Sequence, residues 1–135
     1  MKLDYKFIKE ILLTVEEYNN CAIENFLLIK KLNITNEILE KKFVAHILVM
    51  TDLGLIKSTN PNEHVSMGVL INHDESIDIR NSCYRLTAQG YEFLDALKKD
   101  NIFNQLVDLA LPTALKIGTQ LLTQTIWEKI KSGSL

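Results

Sequence analysis

Apolar side chains recur at three- and four-residue spacing between Asp4 and Tyr18. Ile8, Ile11, Leu12, Val15 and Tyr18 form one stripe, with Lys6, Lys9, Glu10, Glu16 and Glu17 largely off it. That period predicts an amphipathic helix, capped by Asp4 and ended at Asn19-Asn20, since Asn tolerates the left-handed conformation. The next apolar run, Phe26–Ile29, is too short for its period to separate strand from helix, and we read it as a short strand. Asn33 to Asn36 punctuates, with Thr35 set to cap the next helix. From Asn36 to Leu53 there is no breaker, which predicts one long or kinked helix stopped by Gly54.

Beyond Gly54 the period shortens. Leu55–Thr59 reads as a strand and Asn60-Pro61-Asn62 as a turn. His64–Asn72 alternates in part, Asn72–Ser76 is a turn cluster, and Ile77 and Ile79 alternate with Asp78 and Arg80. Ser82–Leu86 is a last strand, and Thr87 caps a helix in which Tyr91, Leu94 and Leu97 share a face. Asp100 caps the next helix, Pro112 breaks or kinks the chain, and Thr113–Ile130 forms a last helix. A helix ending in Leu-Gly-Leu-Ile and running into a hairpin is the arrangement of a winged helix-turn-helix. The expected fold class is therefore α+β. A winged helix-turn-helix-like core with a β-hairpin wing occupies 1–99, and a helical C-terminal extension occupies 100–135 in the same structural unit. The expected core gathers Ile8, Leu12, Phe43, Ile47, Leu55, Leu86 and Leu94.

Charge changes this picture. The 135 residues carry 15 Lys plus Arg against 17 Asp plus Glu, a net charge of −2. By bulk charge the chain is not a basic nucleic-acid binder. No segment is a basic stripe, and only Arg80 and Arg85 supply the bidentate guanidinium fork. Two Cys make no disulfide framework, which favours a reducing cytoplasm. The opening Met1-Lys2-Leu3-Asp4 does not read as a secretory signal. In the last helix Pro112, Thr113, Gln120, Thr123, Gln124 and Thr125 interrupt every long apolar window, so no membrane span is expected.

Two stretches carry a family resemblance. One is Phe43-Val-Ala-His46-Ile-Leu48-Val-Met-Thr-Asp-Leu53-Gly54-Leu55-Ile56. The other is Tyr84-Arg85-Leu86-Thr87-Ala-Gln-Gly90-Tyr91-Glu92-Phe93-Leu94-Asp95-Ala96. With the opening Met-Lys-Leu-Asp-Tyr and Ile11-Leu12-Leu13, the chain resembles the domain-of-unknown-function family 2513, small bacterial and prophage proteins. The resemblance implies a winged-helix fold and an association with mobile elements, and no established activity. Tyr91 stands where that family usually has His, Ala88 where an aromatic is common, and Leu53 where a small residue precedes the glycine. The segment Asn60–Ser82 is also longer than usual. Tyr91 in place of His argues against a required catalytic histidine at that position.

Candidate chemistry is sparse. There is no glycine-rich phosphate loop, nucleophile elbow or zinc spacing, so no catalytic residue, metal or cofactor is expected. His46, alone in an apolar helical run, reads as a partly buried histidine bonded to backbone or to a neighbouring acid, with a ligand or switch role as the alternative. His73-Asp74-Glu75 reads as a solvated turn. Two functions stay open, and the expected fold places the first slightly ahead of the second. One is a DNA-binding regulator of a phage or other mobile element, with Lys41, Lys42, Lys57 and Arg80 on phosphate. The other is a protein-interaction module of the same fold, favoured by the acidic balance and by the apolar run Phe43–Met50. The C-terminal helices carry apolar residues on more than one face, which points to a homodimer through Leu115, Leu122, Ile126, Trp127 and Ile130.

Overall fold

The Asp4 carboxylate accepts the Phe7 N–H at 3.1 Å, so the first helix starts where its sequence cap stands. In this computed structural model, which describes residues 1–63 and 66–133, α1 runs Tyr5–Glu17 and buries Tyr5, Ile8, Ile11, Leu12 and Val15. The chain is a mixed α+β protein that divides into two compact units, 1–90 and 91–135.

In the first unit, β1 is only Ile23–Glu24. Phe26–Ile29 is not a strand: it lies in α2, Asn25–Lys31. The reason is visible in its burial. Asn25 and Leu28, three apart, are buried while Phe26 is exposed, a helical rather than an alternating pattern. Leu and Lys are also good helix formers. Helix α3 spans Glu37–Asp52 without a kink, and Asn36, not Thr35, is its cap, accepting the Leu39 N–H at 2.9 Å. Gly54 ends it in the left-handed conformation at φ +71°, and the Leu55 N–H returns to the Met50 carbonyl at 2.9 Å.

The remaining strands are β2 (Ile56–Ser58), β3 (Val69–Ile71), β4 (Ile77–Ile79) and β5 (Cys83–Leu86). They make a three-stranded antiparallel sheet, β1-β5-β2, and a two-stranded hairpin, β3-β4. Of the alternation expected from His64, the strand is Val69–Ile71, and His64 and Val65 lie outside the described residues. Register sorts the faces of the larger sheet. Ile23, Ile56, Ser58, Tyr84 and Leu86 are buried, while Glu24, Lys57 and Arg85 are exposed on the other side.

Helix α4 (Ala88–Leu97) starts from a Thr87 cap whose hydroxyl accepts the Gly90 N–H at 3.0 Å and donates to the Gly54 carbonyl. A Cβ at Gly90 would lie 2.1 Å from the Leu55 carbonyl oxygen, so only glycine allows this approach. In the second unit, α5 is Asp100–Leu106 and α6 is Leu111–Lys131. Lys99 rather than Asp100 is the α5 N-cap residue, and it makes no side-chain cap bond. Pro112 neither breaks nor kinks a helix. It sits in the first turn of α6, where a missing N–H costs nothing. All seven residues expected in the core are buried.

Candidate interaction surfaces

Of the candidate cations, Lys41 and Lys42 lie on α3, Lys57 on β2, and Arg80 directly after β4. Asp74, in the hairpin turn, is held below the ordinary carboxylate range by the Ser76 hydroxyl and N–H, with the Lys41 charge contributing. Neither lysine of α3 is a free cation. Lys41 pairs with Glu37 one turn away at 3.4 Å. Lys42 reaches Asp4 at 2.8 Å and lies 4.8 Å from the centre of the Phe7 ring. Its ammonium holds the Asp4 carboxyl below the usual range.

The exposed residues around these lysines are acidic or apolar. Ile38 is 80% exposed in the first turn of α3, beside Glu37. On the hairpin, Leu70 and Ile71 are exposed, as are Asp74, Glu75 and Asp78. Arg80 is exposed and, with Ser66, Gly68, Val69, Leu70 and Asp78, lines an open hollow of about 320 Å³. Lys57 is exposed on β2, directly opposite Arg85 on β5.

His46 is fully buried, and its ring is fixed from both sides. Nε2 accepts the Asp4 N–H at 2.9 Å, so Nδ1 carries the proton and donates it to the Lys42 carbonyl at 2.7 Å. Phe7 presses its ring against the imidazole at 5.1 Å, edge on. Burial pushes the His46 pKa down. Both bonds are to backbone, and the neighbouring acid contributes its N–H rather than its carboxylate. Asn25 is a residue that sequence reasoning does not single out. It is fully buried, donates Nδ2 to the Arg80 carbonyl at 2.7 Å, and accepts the Phe26 and Ser82 N–H groups at 2.9 and 3.3 Å. Beside it the Ser58 and Ser82 hydroxyls bond at 2.7 Å, and the Tyr84 hydroxyl donates to the Met67 carbonyl at 2.6 Å. These buried bonds pin both ends of the hairpin insertion to the sheet.

In the second unit the dimer candidates separate. Leu115 is buried, Leu122 is half-buried, and Ile126, Trp127 and Ile130 are about half exposed. Among the described residues no group of three or more His, Cys, Asp and Glu is set to hold a metal ion. No described helix is long and apolar enough to cross a membrane.

Fold and surfaces define a small α+β protein of helices, a three-stranded sheet and an inserted hairpin. The chain belongs to DUF2513, a family of hypothetical proteins, whose model matches residues 2–116. No curated protein and no solved structure matches it.

Proposed function

We propose that the chain is a non-catalytic protein-interaction module built on a winged-helix fold. The sheet order β1-β5-β2, the helix pair α2-α3 before β2, and a hairpin inserted between β2 and β5 support the winged-helix assignment. One observation carries the function. The helix and hairpin that such a fold turns toward DNA are acidic and apolar here. Lys41 and Lys42 are neutralised by Glu37 and Asp4. The hairpin sets Asp74, Glu75 and Asp78 against Arg80, next to exposed Leu70 and Ile71. Phosphate would meet repulsion there, whereas an apolar centre with a charged rim suits a protein partner. A titration with double-stranded DNA at low salt tests this, and no binding is the expected result. Capture of one same partner by the wild type, and its loss in Ile38→Asp and Leu70→Asp, is the positive arm. Steep, salt-dependent DNA binding would overturn the assignment.

A second reading is a DNA-binding regulator associated with a phage or other mobile element. It draws on Lys57 and Arg85, adjacent exposed cations with no acid at ion-pair distance among the described residues. In that case Lys57→Ala would lower the salt slope of binding by about one unit. A homodimer through α6 would draw on the same residues that the sequence points to, all but one of them at least partly exposed. Leu115 is buried, while Leu122 is half-buried and Ile126, Trp127 and Ile130 are about half exposed.

A further inference from the structure

Helix α6 outruns its cover. It has 21 residues, about 31 Å, while α5 has seven, about 10 Å. The first half of α6 buries Leu111, Ala114, Leu115 and Gly118. Gly118 makes close contact possible, since a Cβ there would meet the Leu106 side chain at 3.1 Å. The same apolar strip then continues at four-residue steps through Leu122, Ile126 and Ile130, with Trp127 beside it. Over this second half it is half-buried and then exposed, Trp127 reaching 57%.

The uncovered strip has a shaped floor and a charged rim. Leu122 and Ile126 line a groove of about 250 Å³ against the end of α4, together with Asp95, Lys98, Lys99 and Lys129. Lys99 and Lys129 outnumber Asp95 around the apolar floor. An apolar strip of four-residue period, in a groove between helices, fits the apolar face of another helix. The lysine rim selects the charge of that helix.

We propose that the α4-α6 groove is a docking site for an acidic amphipathic helix of a partner protein. Its leucine-type side chains rest on Leu122, Ile126 and Ile130, and its carboxylates face Lys99 and Lys129. This surface belongs to the second unit and does not depend on how α3 and the hairpin are used.

Trp127 is the chain's single tryptophan, so its emission reports directly on this face. The test uses the full chain and a synthetic helical peptide with Leu on one face and Glu along its flanks. The control peptide has Lys in place of every Glu. The acidic peptide should shift Trp127 emission to the blue and bind at least tenfold more tightly than the control. Lys129→Glu should lose about tenfold in affinity, and Ile126→Asp should lose binding, both with unchanged thermal melting. Both substitutions are at exposed positions, and melting separates loss of the site from loss of the fold. Equal binding of the two peptides, or no binding of the acidic one at millimolar concentration, would overturn the proposal. So would a Trp127 blue shift that grows with protein concentration alone, because a second copy would then be the occupant.

Discussion

Lowering the pH from 7.5 to 4.5 tests the internal seam between α1 and α3. The only acceptor His46 offers to the Asp4 N–H is the lone pair on Nε2, at 2.9 Å. Protonating that nitrogen sets N–H against N–H in a fully buried place. The charged groups facing the ring are the Lys42 ammonium, which repels the new charge, and the Asp4 carboxylate, which attracts it but is already bonded to Lys42 at 2.8 Å. Burial is the largest effect and pushes the folded pKa below 6.5. Below pH 6.5 the unfolded chain takes up a proton that the folded chain refuses, so stability falls as pH falls. Above 6.5 both states are neutral and His46 adds no slope. Asp4 acts in a different window, because its pKa is lowered from 3.8 and its contribution is present above that value and lost as pH falls through the folded value. The limiting slope from His46 is about 1.4 kcal/mol per pH unit, so the loss between pH 6.5 and 4.5 is at most roughly 2.7 kcal/mol. Urea unfolding at four pH values, for wild type and His46→Gln, measures it. Gln supplies an amide oxygen for the Asp4 N–H and does not titrate. Surface carboxylates titrate alike in both chains and cancel in the difference. The wild-type curve should fall away from the variant below pH 6.5. Parallel curves would refute the lock.

Three further substitutions test the packing by urea unfolding or thermal melting. Gly90→Ala drives a Cβ against the Leu55 carbonyl and should cost at least about 1–3 kcal/mol; an unchanged melting temperature would mean that α4 does not start there. Asn25→Ala strands the Arg80 carbonyl and the Ser82 N–H in the interior and should cost about 2–4 kcal/mol. A loss under about 1 kcal/mol would show that water satisfies them. Leu12→Ala, at a fully buried site on α1, should cost about 2–5 kcal/mol, and a near-neutral result would place that stripe outside the core.

Local chemistry is readable from sequence wherever cause and effect lie within a few residues. The α1 stripe, the Asp4 and Thr87 caps and the Gly54 stop all follow from period, capping geometry or φ preference. Phe26–Ile29 misleads because four apolar residues carry too little period. Their helix is decided by the burial of Asn25 and Leu28 on one helical face, a tertiary fact. Asn25 itself carries no mark in the sequence. Its partners, Arg80 and Ser82, lie 55 and 57 residues away, a separation at which sequence holds no signal for one particular side chain. His46 is legible as a buried, bonded histidine. That both bonds go to backbone, one of them 42 residues distant, is not.

The charge count misleads for the same reason. Segment 35–53 carries Lys41 and Lys42 against Glu37, Glu40 and Asp52, which leaves two cations nominally available for phosphate. Glu37 is one helical turn from Lys41, so that pair is foreseeable from its four-residue spacing. Lys42 is held by Asp4 from another helix and stacks over Phe7, so its charge is committed to the fold. Surface ion pairs are individually weak, about 0–1 kcal/mol, and a phosphate could compete for Lys41. To take Lys42 it must displace the Asp4 Oδ2 oxygen and draw the ammonium off the Phe7 ring, while the Asp4 N–H stays on His46 and Oδ1 stays on the Phe7 N–H. A phosphate there would sit beside the Asp4 carboxylate, anion next to anion, which weakens the contact. A protein partner that leaves the Asp4–Lys42 pair intact meets no such repulsion, and Ile38, Leu70 and Ile71 are exposed.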